Sequence, residues 1–415
     1  MIKKHTLMKL SYHNFLLFIF LIIISCKSVD PVSFKTYVDT TTKPILIQKK
    51  QTYTLDDLGV YASNEFDGAR LNGLKKANDS TAILLINPEN EPINKSAYYA
   101  FKVWSNTTKS FYFTFQYPKG YKHRYIPKLK EDINWSLIDS INIFKKDSIV
   151  TIKLNLSKSP LTVAAQEINS STNVKIWYTN LIKGKESYVH FSNYGKSRLG
   201  RDLPILDIYK GDKKNKDVIV LLTRQHPPEV TGYFAFKEFL KTILNNSSLS
   251  EDFLNKYRVL AFPILNPDGV DLGHWRHNSG GVDTNRDWSI YNQPEVKQTV
   301  EYITSTLRKN KAKAILGLDF HSTYKDVFYT NKIRKETTLP NFVNDWLTAL
   351  ELNIPNYKVN EAAANSTTPV SKGWFLYGHN AVGITYEIGD ATPNKRIKLI
   401  GKVSAEQMMS ILLKK

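Results

Sequence analysis

Four short and almost entirely apolar runs in the second half of the chain constrain its fold most strongly. They cover residues 218–223, 258–264, 314–320 and 382–388. Stretches with the periodicity of amphipathic helices separate or follow them, over residues 229–244, 293–308, 339–352 and 397–413. Apolar runs of strand length that alternate with helices are typical of a parallel sheet buried on both faces. The second half is therefore predicted to be α/β, with a mixed, largely parallel sheet flanked by helices.

The first half shows a different pattern, in which apolar and polar residues alternate over short segments. These segments cover residues 82–86, 99–104, 111–115 and 149–154. Such alternation indicates half-buried strands, and turn-forming stretches lie between them. We expect an antiparallel β-sandwich domain over residues 51–184 and the α/β domain over residues 185–415. A stretch near Ser170 is expected to cap a short helix.

The N-terminus carries the features of a secretory signal over residues 1–25. Three lysines among the first nine residues precede an apolar run over residues 15–24, which is too short to span a bilayer. Ser25 and then Cys26, the only cysteine of the chain, follow this run. The segment resembles a bacterial lipoprotein signal. That resemblance implies cleavage before Cys26 and attachment of lipid to its sulfur.

A lipid anchor of this kind would tether the protein to a membrane of the bacterial cell envelope, in the periplasm or at the cell surface. The alternatives are an uncleaved signal anchor and a plainly secreted protein. Residues 26–50 are rich in Lys, Thr, Pro and Ser and lack periodicity. They are predicted to be a tether that lifts the globular part off the membrane.

The charge of the chain indicates acidic partners without specifying nucleic acid. The formal net charge is +19, which favours attraction to anionic lipid, anionic glycan or acidic peptides. The lysines are scattered, and no aromatic residues interleave with them as they do in a nucleic-acid groove. We therefore predict no nucleic-acid partner.

Three side chains at predicted strand ends can bind one metal ion. His226 and Glu229 follow one apolar run and are three residues apart, so their side chains can converge on one point. His321 ends another run. Two imidazoles and one carboxylate leave a fourth zinc position open to water, which is the composition of a catalytic zinc site. We predict one Zn²⁺ per chain at this site.

The order of motifs around these ligands resembles the zinc carboxypeptidase family of the carboxypeptidase A type. The elements are His226-x-x-Glu229, Arg276, Asp283-Thr284-Asn285-Arg286, His321-Ser322 and Glu387. This resemblance covers residues 185–415. Residues 58–69 and 99–104 are similar to the β-sandwich that precedes the peptidase domain in the cytosolic carboxypeptidase subfamily.

The resemblance implies a role for each matching residue in zinc binding or substrate binding. His226, Glu229 and His321 would bind zinc, with Asp283 orienting the first histidine. Asn285 and Arg286 would hold the free α-carboxylate of the substrate, for which a planar guanidinium offers two parallel hydrogen bonds. Such a contact restricts an enzyme to the C-termini of peptides or proteins.

The resemblance also implies the groups that would carry the chemistry. Arg276 would polarise the scissile carbonyl and stabilise the oxyanion, and Glu387 would be the general base that takes a proton from zinc-bound water. Lys372 lies near the position that sets side-chain preference, and a buried cation there would favour acidic C-terminal residues. The family's mobile tyrosine has no counterpart in residues 361–369, and the nearest candidates are Tyr357 and Tyr377.

Several functions remain open from the sequence alone. The leading hypothesis is a metallocarboxypeptidase, a zinc hydrolase that acts on peptides. A second hypothesis keeps the metal and changes the substrate to cell-wall peptide, cut at D-Glu or diaminopimelate bonds. A third is a non-catalytic surface binding protein, against which the intact Glu387 argues. The Asn285-Arg286 pair favours a peptidase over an amide deacylase.

Overall fold

The computed structural model describes residues 29–415, so the predicted signal and Cys26 lie outside the described residues. Within the part that it describes, no helix is both long and apolar enough to cross a bilayer. The described chain has two hydrophobic cores. The first is built from residues 60–165 together with Trp275, and the second from residues 174–412.

The first core lies within a β-sandwich. Its strands are β1 (Thr52–Leu55), β2 (Val60–Ser63), β3 (Gly73–Asn78), β4 (Thr81–Leu85), β5 (Ala100–Ser105), β6 (Lys109–Gln116), β7 (Lys128–Glu131), β8 (Asn134–Leu137), β9 (Ile143–Lys146), β10 (Ile149–Leu156) and β11 (Leu161–Ala164). One sheet has the order β1-β2-β5-β11-β7-β8 and the other β3-β4-β6-β10-β9. Alternate side chains face the core, as Phe111, Phe113 and Phe115 do on β6. The predicted sandwich is confirmed.

One strand pair departs from the predicted antiparallel arrangement. β4 and β6 are parallel neighbours, while the other pairs of both sheets are antiparallel. Between them the chain crosses to the other sheet as β5 and then returns. Alternation reports which face of a strand is buried and says nothing about the direction of its neighbour, so the sequence pattern could not predict this pair.

The second core surrounds an eight-stranded mixed sheet. Its strands are β12 (Val189–Lys196), β13 (Asp202–Ile208), β14 (Val218–Thr223), β15 (Arg258–Phe262), β16 (Ala314–Thr323), β17 (Val327–Thr330), β18 (Glu361–Ala363) and β19 (Val382–Gly389). The order is β12-β13-β15-β14-β16-β19-β17-β18, and the central block β15-β14-β16-β19 is parallel. The predicted α/β class with a mixed, largely parallel sheet is confirmed.

Helices accompany this sheet. They are α1 (Ser171–Ile182), α2 (Val230–Ile243), α3 (Ser248–Lys256), α4 (Pro267–Asp271), α5 (Pro294–Asn310), α6 (Phe342–Asn353), α7 (Ser371–His379) and α8 (Asn394–Leu413). Ser170 caps α1 in a capping box with Asn173, as its position predicted. Val174 and Tyr178 of α1 already belong to the second core, and residues 31–415 form one compact unit. A domain boundary at residue 185 stays a prediction.

The segment of residues 31–50, which we name the strap, is bound to the body of the protein, whereas the sequence predicted a tether over residues 26–50. Thr40 and Gln48 are buried. Strap N–H groups donate to carbonyl oxygens elsewhere, at Val32 to Ser289 (3.1 Å), Thr36 to Thr367 (2.8 Å), Lys43 to Gly280 (2.8 Å) and Leu46 to Glu89 (2.6 Å). A lack of periodicity excludes regular structure, but it does not reveal whether an extended backbone is bonded to another part of the chain.

Candidate metal centre and catalytic cleft

Neighbouring parallel strands bring the candidate residues to one edge of the α/β sheet. β14 ends shortly before His226, and β16 carries His321 near its own end. The pairing of β16 with β19 places His321 directly beside Glu387. Because the carboxyl ends of parallel strands meet at the same edge, these three residues converge. Glu229 joins them from the residue that precedes α2.

The three predicted metal ligands form a tight cluster. Nδ1 of His226 lies 2.8 Å from Oε1 of Glu229, and Nδ1 of His321 lies 2.6 Å from Oε2 of the same carboxylate. The two Nδ1 atoms are 3.2 Å apart. Tetrahedral zinc with bonds of about 2.0–2.1 Å separates its nitrogen ligands by roughly 3.3 Å. The donor set and the spacing of the two Nδ1 atoms therefore fit a zinc ion bound through both of them.

The second nitrogen of each imidazole faces a carboxylate, which fixes the orientation of the ring. Nε2 of His226 is 2.8 Å from Oδ1 of Asp283, and Nε2 of His321 is 2.8 Å from Oδ2 of Asp319. An ionised carboxylate only accepts hydrogen bonds, so each Nε2 donates its proton there, and a metal ion would replace the proton that each Nδ1 shares with Glu229. Asp283 was predicted as the partner of His226, whereas Asp319 was not singled out.

Asp319 is held in turn by two side chains from other elements. Gln225 donates its Nε2 hydrogen to Oδ2 of Asp319 at 2.5 Å, and the hydroxyl of Ser371 donates to the same oxygen. The sequence signal for this role was weak, because Asp319 lies in an apolar strand only two residues from its partner His321. Recognition of the role required the ring orientation that the structure provides.

Charge interactions within the cluster are strong because all of its members are buried. Burial alone would raise the pKa of Glu229, but the two imidazoles hold it well below its usual range. Burial likewise opposes ionisation of Asp283, yet Arg276 and His226 hold its pKa well below the ordinary value. Burial would lower the pKa of His321, and the carboxylates of Asp319 and Glu229 raise it well above the usual value.

Glu387 stands beside the metal cluster with one unpaired oxygen. The residue is partly buried on β19, and its Oε2 atom is shielded from solvent without a hydrogen-bond partner among the described residues. Burial, followed by the nearby charge of Glu229, raises the pKa of Glu387 to about 8. The structure thus places a carboxyl group with a raised pKa next to the three ligands.

The segment of residues 274–286, which we name the arginine loop, borders the cluster on another side. Arg276 is buried and donates its Nε hydrogen to Oδ2 of Asp283 at 2.7 Å. Arg286 is more exposed and lies 3.8 Å from the same carboxylate oxygen. Both arginines line a cavity of about 370 Å³, together with strap residues between 38 and 43 and with sandwich residues 90–94.

Asn285 and Lys372 are partly engaged by contacts within the protein. Oδ1 of Asn285 accepts a hydrogen bond from the backbone of Ser371 at 2.9 Å, while its Nδ2 lies 3.4 Å from Nε2 of His321. Lys372 is buried on α7, and its ammonium donates to the carbonyl oxygens of Thr330 and Ala364. Burial lowers the pKa of Lys372 to about 8, and no ion pair accompanies it within residues 29–415.

Neither tyrosine suggested by the sequence contacts the metal cluster within the described chain. Tyr377 donates to the carbonyl of Ser366 at 2.9 Å, and Tyr357 packs against the second core. The structure instead presents Tyr329 on β17, which pairs with Thr385 and therefore faces the same side of the sheet as Glu387. This residue was missed because only strand register places it there.

Comparisons with known proteins agree with this geometry. A family model described as zinc carboxypeptidase matches residues 174–403, which is more than half of the chain. Cytosolic carboxypeptidase 1 of Mus musculus is 32% identical over 129 residues, which is 30% of this chain and 10% of the mouse protein. The corresponding protein of Danio rerio is 32% identical over 136 residues, which is 32% of this chain and 12% of its own length. The chain thus matches only a small part of these relatives.

Solved structures share the fold over most of the chain. A metallo-carboxypeptidase from Burkholderia cenocepacia superposes with a TM-score of 0.68 at 15% identity and covers 85% of this chain and 98% of its own. A metallo-carboxypeptidase from Pseudomonas aeruginosa, in complex with (2-guanidinoethylmercapto)succinic acid, gives a TM-score of 0.66 at 17% identity and also covers 85% of this chain and 98% of its own. That coverage extends beyond residues 174–403 into the sandwich. By sequence, the chain belongs to the zinc carboxypeptidase family, and its fold agrees with that assignment.

Proposed function

We propose that this protein removes C-terminal residues from peptides with Glu387 as its general base. The observation that supports this role most strongly is the buried Oε2 atom of Glu387, which has no partner beside the metal cluster. An unpaired buried acceptor is costly, so this atom favours a ligand that can donate a hydrogen bond. A water molecule bound there would stand ready to lose a proton to Glu387.

Glu387 also has the basicity that proton transfer near neutral pH requires. Its pKa is raised to about 8, first by burial and then by Glu229. Zinc, when bound, polarises the scissile carbonyl and through its charge lowers the pKa of both a water molecule and Glu387. The ionised form of Glu387 accepts the proton, and the protonated form then donates it to the departing amine.

The arginine loop supplies the groups that we propose for substrate binding. Arg286 opens into the cavity and can hold a terminal carboxylate with two parallel hydrogen bonds, with Nδ2 of Asn285 as a further donor. Arg276 is fixed through its Nε atom to Asp283, which leaves its two terminal nitrogens for the oxygen that gains charge during hydrolysis.

Zinc analysis of the purified protein, combined with a peptide-ladder mass assay, tests this function. The wild-type protein is expected to contain one zinc ion and to shorten peptides from the C-terminus. Glu387→Gln should keep the zinc ion and lose cleavage. Glu336→Gln, which changes the charge equally at an exposed position, is the control and should keep both the zinc ion and cleavage. Cleavage that survives in Glu387→Gln would refute the assignment of the base.

The buried ammonium of Lys372 supports a preference for acidic C-terminal residues. A buried cation without a counterion is costly, and a substrate carboxylate would compensate its charge. Of the three hydrogens of this ammonium, two are used by carbonyl oxygens, so one remains for a substrate. Such a preference also agrees with the strongly positive charge of the chain.

A panel of peptides that differ only in their last residue tests this preference. Peptides ending in Glu or Asp should be cleaved faster than those ending in Gln, Phe or Lys. Equal or faster cleavage of peptides ending in Phe or Lys would contradict it. Purified muropeptides in the same panel would reveal a cell-wall substrate if they were cleaved in preference to ordinary peptides.

We also propose that the protein is attached to the bacterial cell envelope through lipid on Cys26. The support is the position of this single cysteine directly after an apolar signal-like run. The wild-type protein should incorporate radiolabelled palmitate and sediment with membranes. The Cys26→Ala variant should remain unlabelled. Equal labelling of both proteins would exclude this attachment site.

A further inference from the structure

A carboxylate of the sandwich accepts hydrogen bonds from the backbone of the arginine loop. Glu89 follows β4 and is completely buried. Its Oε2 accepts a hydrogen bond from the backbone of Trp275 at 2.8 Å, and its Oε1 accepts from Arg276 at 3.0 Å and His277 at 2.7 Å. Consecutive N–H groups that point at one anion form a backbone concavity typical of anion binding. Glu89 therefore supplies the anion that this stretch of backbone needs.

The charge state of Glu89 agrees with that role. Burial alone would raise the pKa of Glu89, but His274, Arg70 and His277 and the hydrogen bond from the loop backbone lower it below the usual value. Arg70 is itself buried in the sandwich and donates to the carbonyl of Asn87 at 2.8 Å. The carboxylate is thus held ionised, and an ionised acceptor forms the stronger hydrogen bonds.

Neighbouring contacts attach the same loop to the sandwich. The ring of Trp275 is buried in the sandwich core, with edge contacts to Tyr117 and Tyr121 at centroid distances of 6.2 and 5.3 Å. Asn90 donates to the carbonyl of Gly281 at 3.0 Å, and its Oδ1 is 2.6 Å from Nδ1 of His277. The arginine loop is therefore anchored on both sides of Arg276.

These contacts continue without interruption to the metal cluster. The backbone that Glu89 holds carries Arg276, whose Nε donates to Oδ2 of Asp283 at 2.7 Å. The other oxygen of Asp283 is 2.8 Å from Nε2 of His226. A shift of the loop backbone would move the guanidinium of Arg276 relative to the metal site, because the three ligands belong to β16 and to the segment after β14 and not to the loop.

We propose that Glu89 is a positioning residue, through which the sandwich fixes Arg276 in the geometry required for hydrolysis. The proposal rests on the function proposed above and assigns the sandwich a part in it. Glu89 touches neither metal nor substrate, so its effect must pass through Arg276. Loss of the carboxylate should lower kcat without loss of zinc.

A double-mutant cycle separates this role from a purely structural one. Glu89→Gln keeps the size of the side chain but replaces one acceptor oxygen by an NH₂ group that opposes a backbone N–H. In the wild-type background it should lower kcat about 10- to 100-fold, as small misplacements of catalytic groups do. In the Arg276→Ala background it should change kcat by no more than about twofold, because the group through which it acts is already absent.

Zinc content and the thermal unfolding midpoint are measured for every variant, and Glu131→Gln, an exposed carboxylate of the same sandwich, is the control. If Glu89→Gln fails to fold, Glu89→Asp is used, because it keeps the charge and draws the oxygens back from the loop. A Glu89 variant with normal zinc and wild-type kcat would overturn the proposal. So would an equal loss of kcat in both backgrounds.

The same assays distinguish a failure of this inference from a failure of the proposed function. If only the inference is wrong, Glu387→Gln loses cleavage and Arg276→Ala cleaves more slowly, while the Glu89 variants keep the wild-type kcat. If the proposed function is wrong, the wild-type protein itself does not shorten peptides, and both proposals fall together.

Discussion

The metal cluster and the arginine loop meet at one site but are held there in different ways. His321 lies on β16, and His226 and Glu229 follow the end of the neighbouring parallel strand β14, so the α/β sheet sets the position of the cluster. The arginine loop is largely irregular, and contacts with a separate β-sandwich hold it. Metal binding should therefore depend mainly on the α/β region, with Asp283 of the loop orienting His226, whereas placement of Arg276 should also depend on the sandwich.

Arg276→Ala should separate hydrolysis from metal binding with the largest effect. The change should lower kcat/KM about 10²- to 10³-fold, the usual cost of losing one donor to a developing oxyanion. Zinc content should stay near the wild-type level, because Asp283 still accepts the hydrogen of Nε2 of His226 when its partner Arg276 is removed. Steady-state kinetics and metal analysis of the same preparation provide the measurement. Loss of zinc together with activity would show that loop and cluster are not separable.

Asp319→Asn should weaken zinc binding and have a smaller effect on kcat. It removes the carboxylate that orients His321 and leaves the arginine loop intact. Zinc affinity should fall about 10- to 100-fold, in line with other partners of metal-binding histidines. Competition with a chelator measures this affinity, and kcat at saturating zinc should fall less than in Arg276→Ala. Unchanged affinity would mean that the orientation of His321 does not depend on Asp319.

The smallest effect is expected from pH, through Lys372. Burial lowers the pKa of Lys372 to about 8, so its ammonium is charged below that pH and becomes neutral above it. The ratio of kcat/KM for C-terminal Glu over Gln should therefore be largest below pH 8 and fall about tenfold as the pH rises through it. The titration of groups that act on both substrates changes both kcat/KM values equally and therefore cancels in this ratio. A ratio that stays constant from pH 7 to 9.5 would exclude Lys372 as the specificity group.

The residues at the strand ends of the α/β sheet could be predicted from the sequence, whereas the contacts between the loop and the sandwich could not. His226, Glu229, His321 and Glu387 were predictable because each lies at or near the end of an apolar run, and parallel strands bring such ends to one edge. The main strands and helices of the α/β region were also predicted within a few residues of their observed ends. Periodicity within one segment was enough for these features.

The features that escaped prediction depend on contacts between segments far apart in sequence. The strap lacks periodicity, yet its backbone is bonded to the body of the protein. Glu89 meets the arginine loop across almost two hundred residues, and Tyr329 faces Glu387 only through strand register. No local pattern in the chain carries that information.

We expect both histidines to bind zinc through Nδ1 while Nε2 donates to Asp283 and Asp319. Anomalous diffraction at the zinc absorption edge, from crystals of the zinc-loaded protein, tests it directly. One zinc ion is expected about 2.0–2.2 Å from Nδ1 of His226, Nδ1 of His321 and a carboxylate oxygen of Glu229. Zinc bound through either Nε2 atom, or bound away from these three residues, would contradict it.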